Sequence, residues 1–159
     1  QGDKIDDGWL GASIYQQHNG DDGIYAPPPV ELVAEQKTGS FVRQQILGGG
    51  ISAAHDIADG GLAVAIAEMA VQSGFGANIA VPKTGNLHGW AFGEDQARFV
   101  VTTANGQTLI AAAKEAGIEI TKLGMVSDRS ELKFGDNDTI SLADLSAVFE
   151  GCIPVLMVG

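Results

Sequence analysis

The stretch Ala54-His55-Asp56-Ile57-Ala58-Asp59-Gly60-Gly61-Leu62-Ala63-Val64-Ala65-Ile66-Ala67-Glu68-Met69-Ala70 constrains this chain more than any other. A strand-like run ends in two carboxylates and a glycine pair and then becomes an apolar helix. Gly60 and Gly61 let the backbone turn tightly without Cβ obstruction, and Asp59 is placed to cap the following helix by accepting a first-turn N–H. Asp56 has no such local task. With Ile51 to His55 extended, it falls at the carboxyl end of a strand, where open α/β sheets present ligands. A lone carboxylate there suits a hard divalent cation that keeps most of its water. The same residues also suit a plain strand-to-helix turn with two solvated acids, and the pattern alone leaves both readings open.

Around this junction the chain alternates helix and strand patterns. Gln1 to Asp22 is rich in glycine and aspartate and reads as an irregular entry. Pro27 to Pro29 stiffen a connector into a first helix, Val30 to Leu47, whose apolar Leu32, Val33, Phe41, Val42, Ile46 and Leu47 form one imperfect face and which Gly39 is placed to break. Gly48-Gly49-Gly50 ends it as glycines past a helix end do; neither phosphate-loop spacing of glycines is present. Leu62 to Ser73 is expected as a largely buried helix with Leu62, Ile66, Met69 and Ala70 on one face. Strands are expected at Ala77 to Val81 and Phe99 to Thr103, a helix at Thr108 to Ala116 and extended chain at Ile118 to Val126. Glu131 to Phe134 with Thr139 to Ile140 reads as a hairpin, and Ser141-Leu142-Ala143-Asp144 opens a last helix through a capping pattern. Such alternation predicts an α/β (α+β) layered sandwich, a mixed sheet covered by helices.

Composition narrows the chemistry. The 159 residues suffice for one domain with its own core, and 45% hydrophobic content argues against disorder. Nine Lys and Arg against 20 Asp and Glu give a formal charge of −11. The basic residues are scattered, so nucleic acid is not expected as a partner. No apolar run reaches the length of a membrane span and no signal-peptide pattern opens the chain, so a cytoplasmic location without membrane partners is expected. A single cysteine excludes an internal disulfide and supports no zinc cluster.

Three segments carry a family resemblance, in order and at matching separations. Leu10-Gly11-Ala12-Ser13-Ile14-Tyr15 is similar to a Leu-Gly-Gly-Ser-x-Tyr opening. His55-Asp56-Ile57-Ala58-Asp59-Gly60-Gly61-Leu62-Ala63 is similar to a His-Asp-x-Ser-Asp-Gly-Gly-Leu-Ala motif. Phe92-Gly93-Glu94-Asp95-Gln96-Ala97-Arg98-Phe99-Val100-Val101 is similar to Phe-Gly-Glu-x-Gln-x-Arg-Phe-Val-Val. Together they resemble the C-terminal domain of the phosphoribosylformylglycinamidine synthase (PurL) family, within the aminoimidazole ribonucleotide (AIR) synthetase-related superfamily. Related AIR synthetase and selenophosphate synthetase domains match the Asp-Gly-Gly segment less well, and a non-catalytic docking module of the same fold is the reading from another class.

The resemblance implies an AIR synthetase C-terminal-like fold over residues 1–159, a single domain of a longer synthetase entered after its first strand. It implies an ATP-dependent ligase that turns formylglycinamide ribonucleotide into formylglycinamidine ribonucleotide with glutamine-derived ammonia. Missing N-terminal synthetase domains, a glutaminase subunit and a small accessory subunit are the implied partners. In the large, fused family members the aspartate of the second motif binds Mg2+ at an auxiliary nucleotide (ADP) site. That match assigns the metal to Asp56 and the nucleotide to Ala58, Gly60 and Gly61, although Ala58 lacks the hydroxyl of the family serine. No catalytic residue is expected within this chain. His55 is expected as a half-buried structural imidazole, His18 and His88 as surface loop residues, and Cys152 lacks the surroundings of a nucleophile. Glu94, Gln96 and Arg98 would share one face if their segment were a strand.

Overall fold

The computed structural model describes residues 10–11, 13–19 and 28–157, the last six by their backbone alone. The expectations for Gln1 to Gly8, for Pro27 and for the Cys152 side chain lie outside the described residues. The chain divides into two compact units, one drawn from residues 1–65 and 83–122 and the other from 66–82 and 123–159.

The first unit is built on an antiparallel ribbon. Strand β1 (Ala53–Asp56) pairs with β3 (Phe99–Thr102), with His55 opposite Val100 and Asp56 opposite Phe99. Helices α2 (Leu32–Leu47) and α5 (Gly106–Glu115) flank it, and Val42, Ile51 and Leu109 form a buried cluster packed by Phe41, Phe99, Val101 and Ile120. Asn105 caps α5 by accepting the Thr108 N–H at 3.2 Å, and the Lys37 ammonium of α2 donates to the Gly117 carbonyl just past α5 at 2.8 Å. Two short helices, α1 (Ile14–His18) and α4 (Leu87–Phe92), complete the unit.

The second unit holds a four-stranded mixed sheet in the order β4-β2-β5-β6, from β4 (Gly124–Ser127), β2 (Gly76–Ile79), β5 (Glu131–Phe134) and β6 (Asp138–Ser141). Strand β2 runs antiparallel to β4 and parallel to β5, and β5–β6 is the expected hairpin. Helix α6 (Leu142–Met157) starts where the capping pattern placed it: the Ser141 Oγ accepts the Asp144 N–H at 3.0 Å and donates to the Asp144 carboxylate at 2.6 Å. The division between units falls inside α3 (Gly61–Ser73), where Leu62, Ile66 and Ala70 of the expected face are buried together with Ala65, and Met69 is half-buried. Among the described residues no helix is long and apolar enough to cross a membrane.

Several local expectations are corrected. Helix α2 runs unbroken through Gly39, where nothing lies near the missing Cβ. Its apolar residues do not make one face: at 100° per residue Val33 sits about 180° from Val42, so Val42 is buried while Val33 is 78% exposed. The entry segment read as irregular contains α1, and Ile118 to Val126 is a strand only from Gly124.

Truncation at Leu132, which is 1% exposed, removes a fully packed side chain, so Leu132→Ala is expected to cost about 2–5 kcal/mol. Val33→Ala, on the open side of α2, is expected to stay within about 0.5 kcal/mol. Urea unfolding of the two variants measures the contrast.

Candidate functional site

The three motif segments meet at one carboxylate. Glu94 Oε1 accepts the Gly60 N–H at 2.8 Å and the Ile14 N–H at 2.9 Å. Each segment is shaped locally for this junction. Ser13 is 1% exposed and its Oγ accepts the Gln16 N–H at 3.2 Å, capping α1 so that the Ile14 amide faces outward from the helix start. Gly60 and Gly61 have φ of +82° and +73°, left-handed values that L side chains rarely adopt. A Cβ on Gly61 would come within 2.6 Å of the Phe92 carbonyl carbon and 2.9 Å of the Gly93 oxygen. The glycine pair thus provides both the turn and the close approach of the Phe92-Gly93-Glu94 backbone.

The segment from Glu94 to Arg98 is a loop rather than a strand. Ala97 has φ of +62°, which breaks any one-face arrangement of Glu94, Gln96 and Arg98. The Arg98 guanidinium instead pairs with Asp95 three residues earlier at 2.7 Å, and the Arg98 carbonyl accepts the Ile57 N–H at 2.9 Å. Residues 57 and 60 are therefore both held by residues 94–98.

Asp56 closes β1 as expected, with its side chain 69% exposed. The His55 Nδ1 lies 2.6 Å from the Asp56 carbonyl oxygen and 3.7 Å from its Oδ1, and the imidazole is half-buried, as expected of a structural histidine. Ala58 and Asp59 are exposed, whereas Gly60 and Gly61 are buried. Asp59 makes no capping bond among the described residues; the Gly60 amide goes to Glu94 and the Gly61 amide to the Ala58 carbonyl at 3.0 Å. With both amides engaged, the glycine pair offers no N–H donors to a phosphate. Among the described residues no group of three or more His, Cys, Asp or Glu could hold a metal. One exposed carboxylate fits Mg2+ only as an ion that keeps several waters and draws its remaining ligands from phosphate.

Sequence reasoning missed an aromatic stack beside the junction. Tyr15 of α1 stacks on Phe92 of α4 at 4.6 Å with 10° between the rings, and on His88 at 5.3 Å; its hydroxyl lies 2.8 Å from the His88 Nδ1. His18 and His88 thus sit in α1 and α4 rather than in loops. The legible signal was Asn86, whose side chain caps α4 by accepting the Gly89 N–H at 3.1 Å. An open groove of ≈ 520 Å³ runs along α2 beside Phe99, and none of the expected site residues line it.

The fold is mixed α/β and shared with solved PurL structures. T. maritima PurL complexed with FGAR superposes with a TM-score of 0.68 at 16% identity, covering 80% of this chain and 23% of that one. The structure of PurLQS from Thermotoga maritima gives 0.66 at 17% identity, covering 76% and 23%. The family described as AIR synthase related protein, C-terminal domain, matches residues 2–137, and the chain belongs to that family. Among curated relatives, phosphoribosylformylglycinamidine synthase subunit PurL of Methylocella silvestris is 44% identical over 153 residues, covering 95% of this chain and 21% of the relative. PurL of Parvibaculum lavamentivorans is 45% identical over 154 residues, covering 94% and 21%. The chain spans about a fifth of the length of these relatives.

Gly61→Ala forces a left-handed φ on alanine and drives its Cβ into the Phe92 backbone. A loss of at least about 2 kcal/mol is expected, measured by thermal unfolding; a variant that melts with the parent contradicts the contact.

Proposed function

We propose that the chain serves as the C-terminal domain of a PurL-type phosphoribosylformylglycinamidine synthase. This would be a cytoplasmic ligase that joins ammonia from glutamine to formylglycinamide ribonucleotide at the expense of ATP. The supporting observation is the convergence of its three motif segments on Glu94 in a domain of the AIR synthase related family. The curated relatives bear the PurL name, and a solved neighbour is T. maritima PurL complexed with ATP. N-terminal synthetase domains, a glutaminase subunit and a small accessory subunit are the proposed partners.

In that setting this chain contributes one anionic ligand and a shaped turn. Asp56 is the residue that would hold Mg2+, and the ion would offset phosphate charge at an auxiliary ADP site. Ala58, at the exposed lip of the turn, would meet the nucleotide through a methyl group where the family serine has a hydroxyl. Gly60 and Gly61 would set the turn's shape, since their amides are taken within the chain. Phosphoryl chemistry would lie with groups in other domains.

Two outcomes are expected. The isolated chain, assayed with ATP, formylglycinamide ribonucleotide and ammonium, turns over neither nucleotide nor substrate; activity near that of an intact synthetase would sink the reading. Asp56→Asn, at an exposed side chain whose neighbour is a half-buried histidine, changes the chain's own stability by less than about 1 kcal/mol. In the intact synthetase the same change weakens stabilisation by Mg-ADP in thermal melts. Unfolding of the isolated variant with an intact nucleotide response would make Asp56 a structural residue.

A further inference from the structure

One face of α2 is left open, and its residues are arranged symmetrically about Gly39. Leu32 and Ile46 lie a heptad before and a heptad after that glycine, so both fall within roughly 20° of it around the helix. They are 71% and 47% exposed. Glu35 and Arg43 flank Gly39 at equal spacing, one helical turn away on either side, and both are exposed. Among the described residues neither takes part in an ion pair. Nothing lies within 4 Å of the Cβ that Gly39 lacks, and the groove of ≈ 520 Å³ beside Phe99 opens along this face, lined by Leu32, Glu35, Gly39, Ser40 and Arg43.

We propose that this face docks a second copy of the chain, α2 against α2 and antiparallel, about a two-fold axis beside Gly39. An interface of that symmetry sets each residue against the one equally far on the other side of the glycine. Leu32 of one copy then meets Ile46 of the other, and Glu35 meets Arg43, each pair occurring twice. The acid precedes the glycine and the base follows it, so the antiparallel arrangement matches opposite charges. A parallel one would set Glu35 against Glu35 and Arg43 against Arg43. The missing side chain at Gly39 lets the helix axes approach to about 8 Å, the close end of helix packing. The formal charge of −11 on each copy opposes association over distance, which leaves the choice of contact to short-range matches such as these. One helix face is small beside a standard interface, so the dimer is weak and exchanges with monomer.

The test is sedimentation velocity of the 159-residue chain over a concentration series, at roughly 0.15 M salt, where charges are screened beyond about 8 Å. Circular dichroism checks the fold of each variant. The wild-type chain is expected to shift from monomer toward dimer as concentration rises. Because symmetry doubles each charge change, Glu35→Arg and Arg43→Glu each raise the dissociation constant by about tenfold or more. The double variant Glu35→Arg/Arg43→Glu, which exchanges the two charges, recovers most of that loss. Gly39→Glu meets no neighbour within the chain and improves helix propensity, so it keeps the fold yet stays monomeric, since like charges would face each other across the axis. A wild-type chain that is monomeric at its highest soluble concentration overturns the proposal. So does a dimer that Gly39→Glu and both single reversals leave intact, which would place the contact on another surface. Single reversals that weaken the dimer without recovery in the double variant overturn the antiparallel pairing.

Discussion

One carboxylate oxygen organises the first unit. Glu94 Oε1 receives amides from positions 14 and 60, so two segments far apart in sequence share an acceptor supplied by a third. An unpaired backbone amide is costly where the chain is buried, as at Gly60, and both donors arise where local structure leaves them over: the exposed first helical residue of α1 and a left-handed glycine turn. Remove the acceptor and two separate pieces of backbone lose their partner at once. The glycines at 60 and 61, the capping serine at 13 and the loop after Phe92 are the conditions under which that oxygen can be reached.

The chain's strong negative charge bears on what such a site does. With −11 formal charges and only nine basic residues, phosphate is not drawn by this chain's own cations. The glycine amides that often cradle phosphate are consumed internally. What remains facing outward is acid: Asp56 and, at the next bend, Asp59.

Much of the fold was legible because its signals are local. The α3 stripe, the β5–β6 hairpin and the Ser141 cap follow from residues within four or five positions of one another. So did the position of Asp56 at a strand end. The junction was not legible in the same way. Its bonds span 34 and 80 residues, and no periodicity encodes which acid of an acidic chain accepts which amide. The motif order brought the right segments forward without revealing that they touch. Helices α1 and α4 escaped notice because five or six residues are too few to show a period; their tertiary support is the Tyr15–Phe92 stack. The shared face that a strand over residues 94–98 would have given Glu94, Gln96 and Arg98 is broken at one backbone angle, that of Ala97.

That angle bears on how the motif should be read. In the pattern Phe-Gly-Glu-x-Gln-x-Arg the second variable letter is Ala97, the sole non-glycine residue with positive φ among the described ones. A left-handed backbone admits glycine, asparagine, aspartate or, with some strain, alanine, and it repels β-branched side chains. A valine there would pull the chain toward extended geometry and swing the Arg98 carbonyl away from Ile57, loosening the turn from the opposite end to Glu94. The position that a pattern writes as free is therefore restricted by handedness, and substitution tables that score it as tolerant would misjudge it.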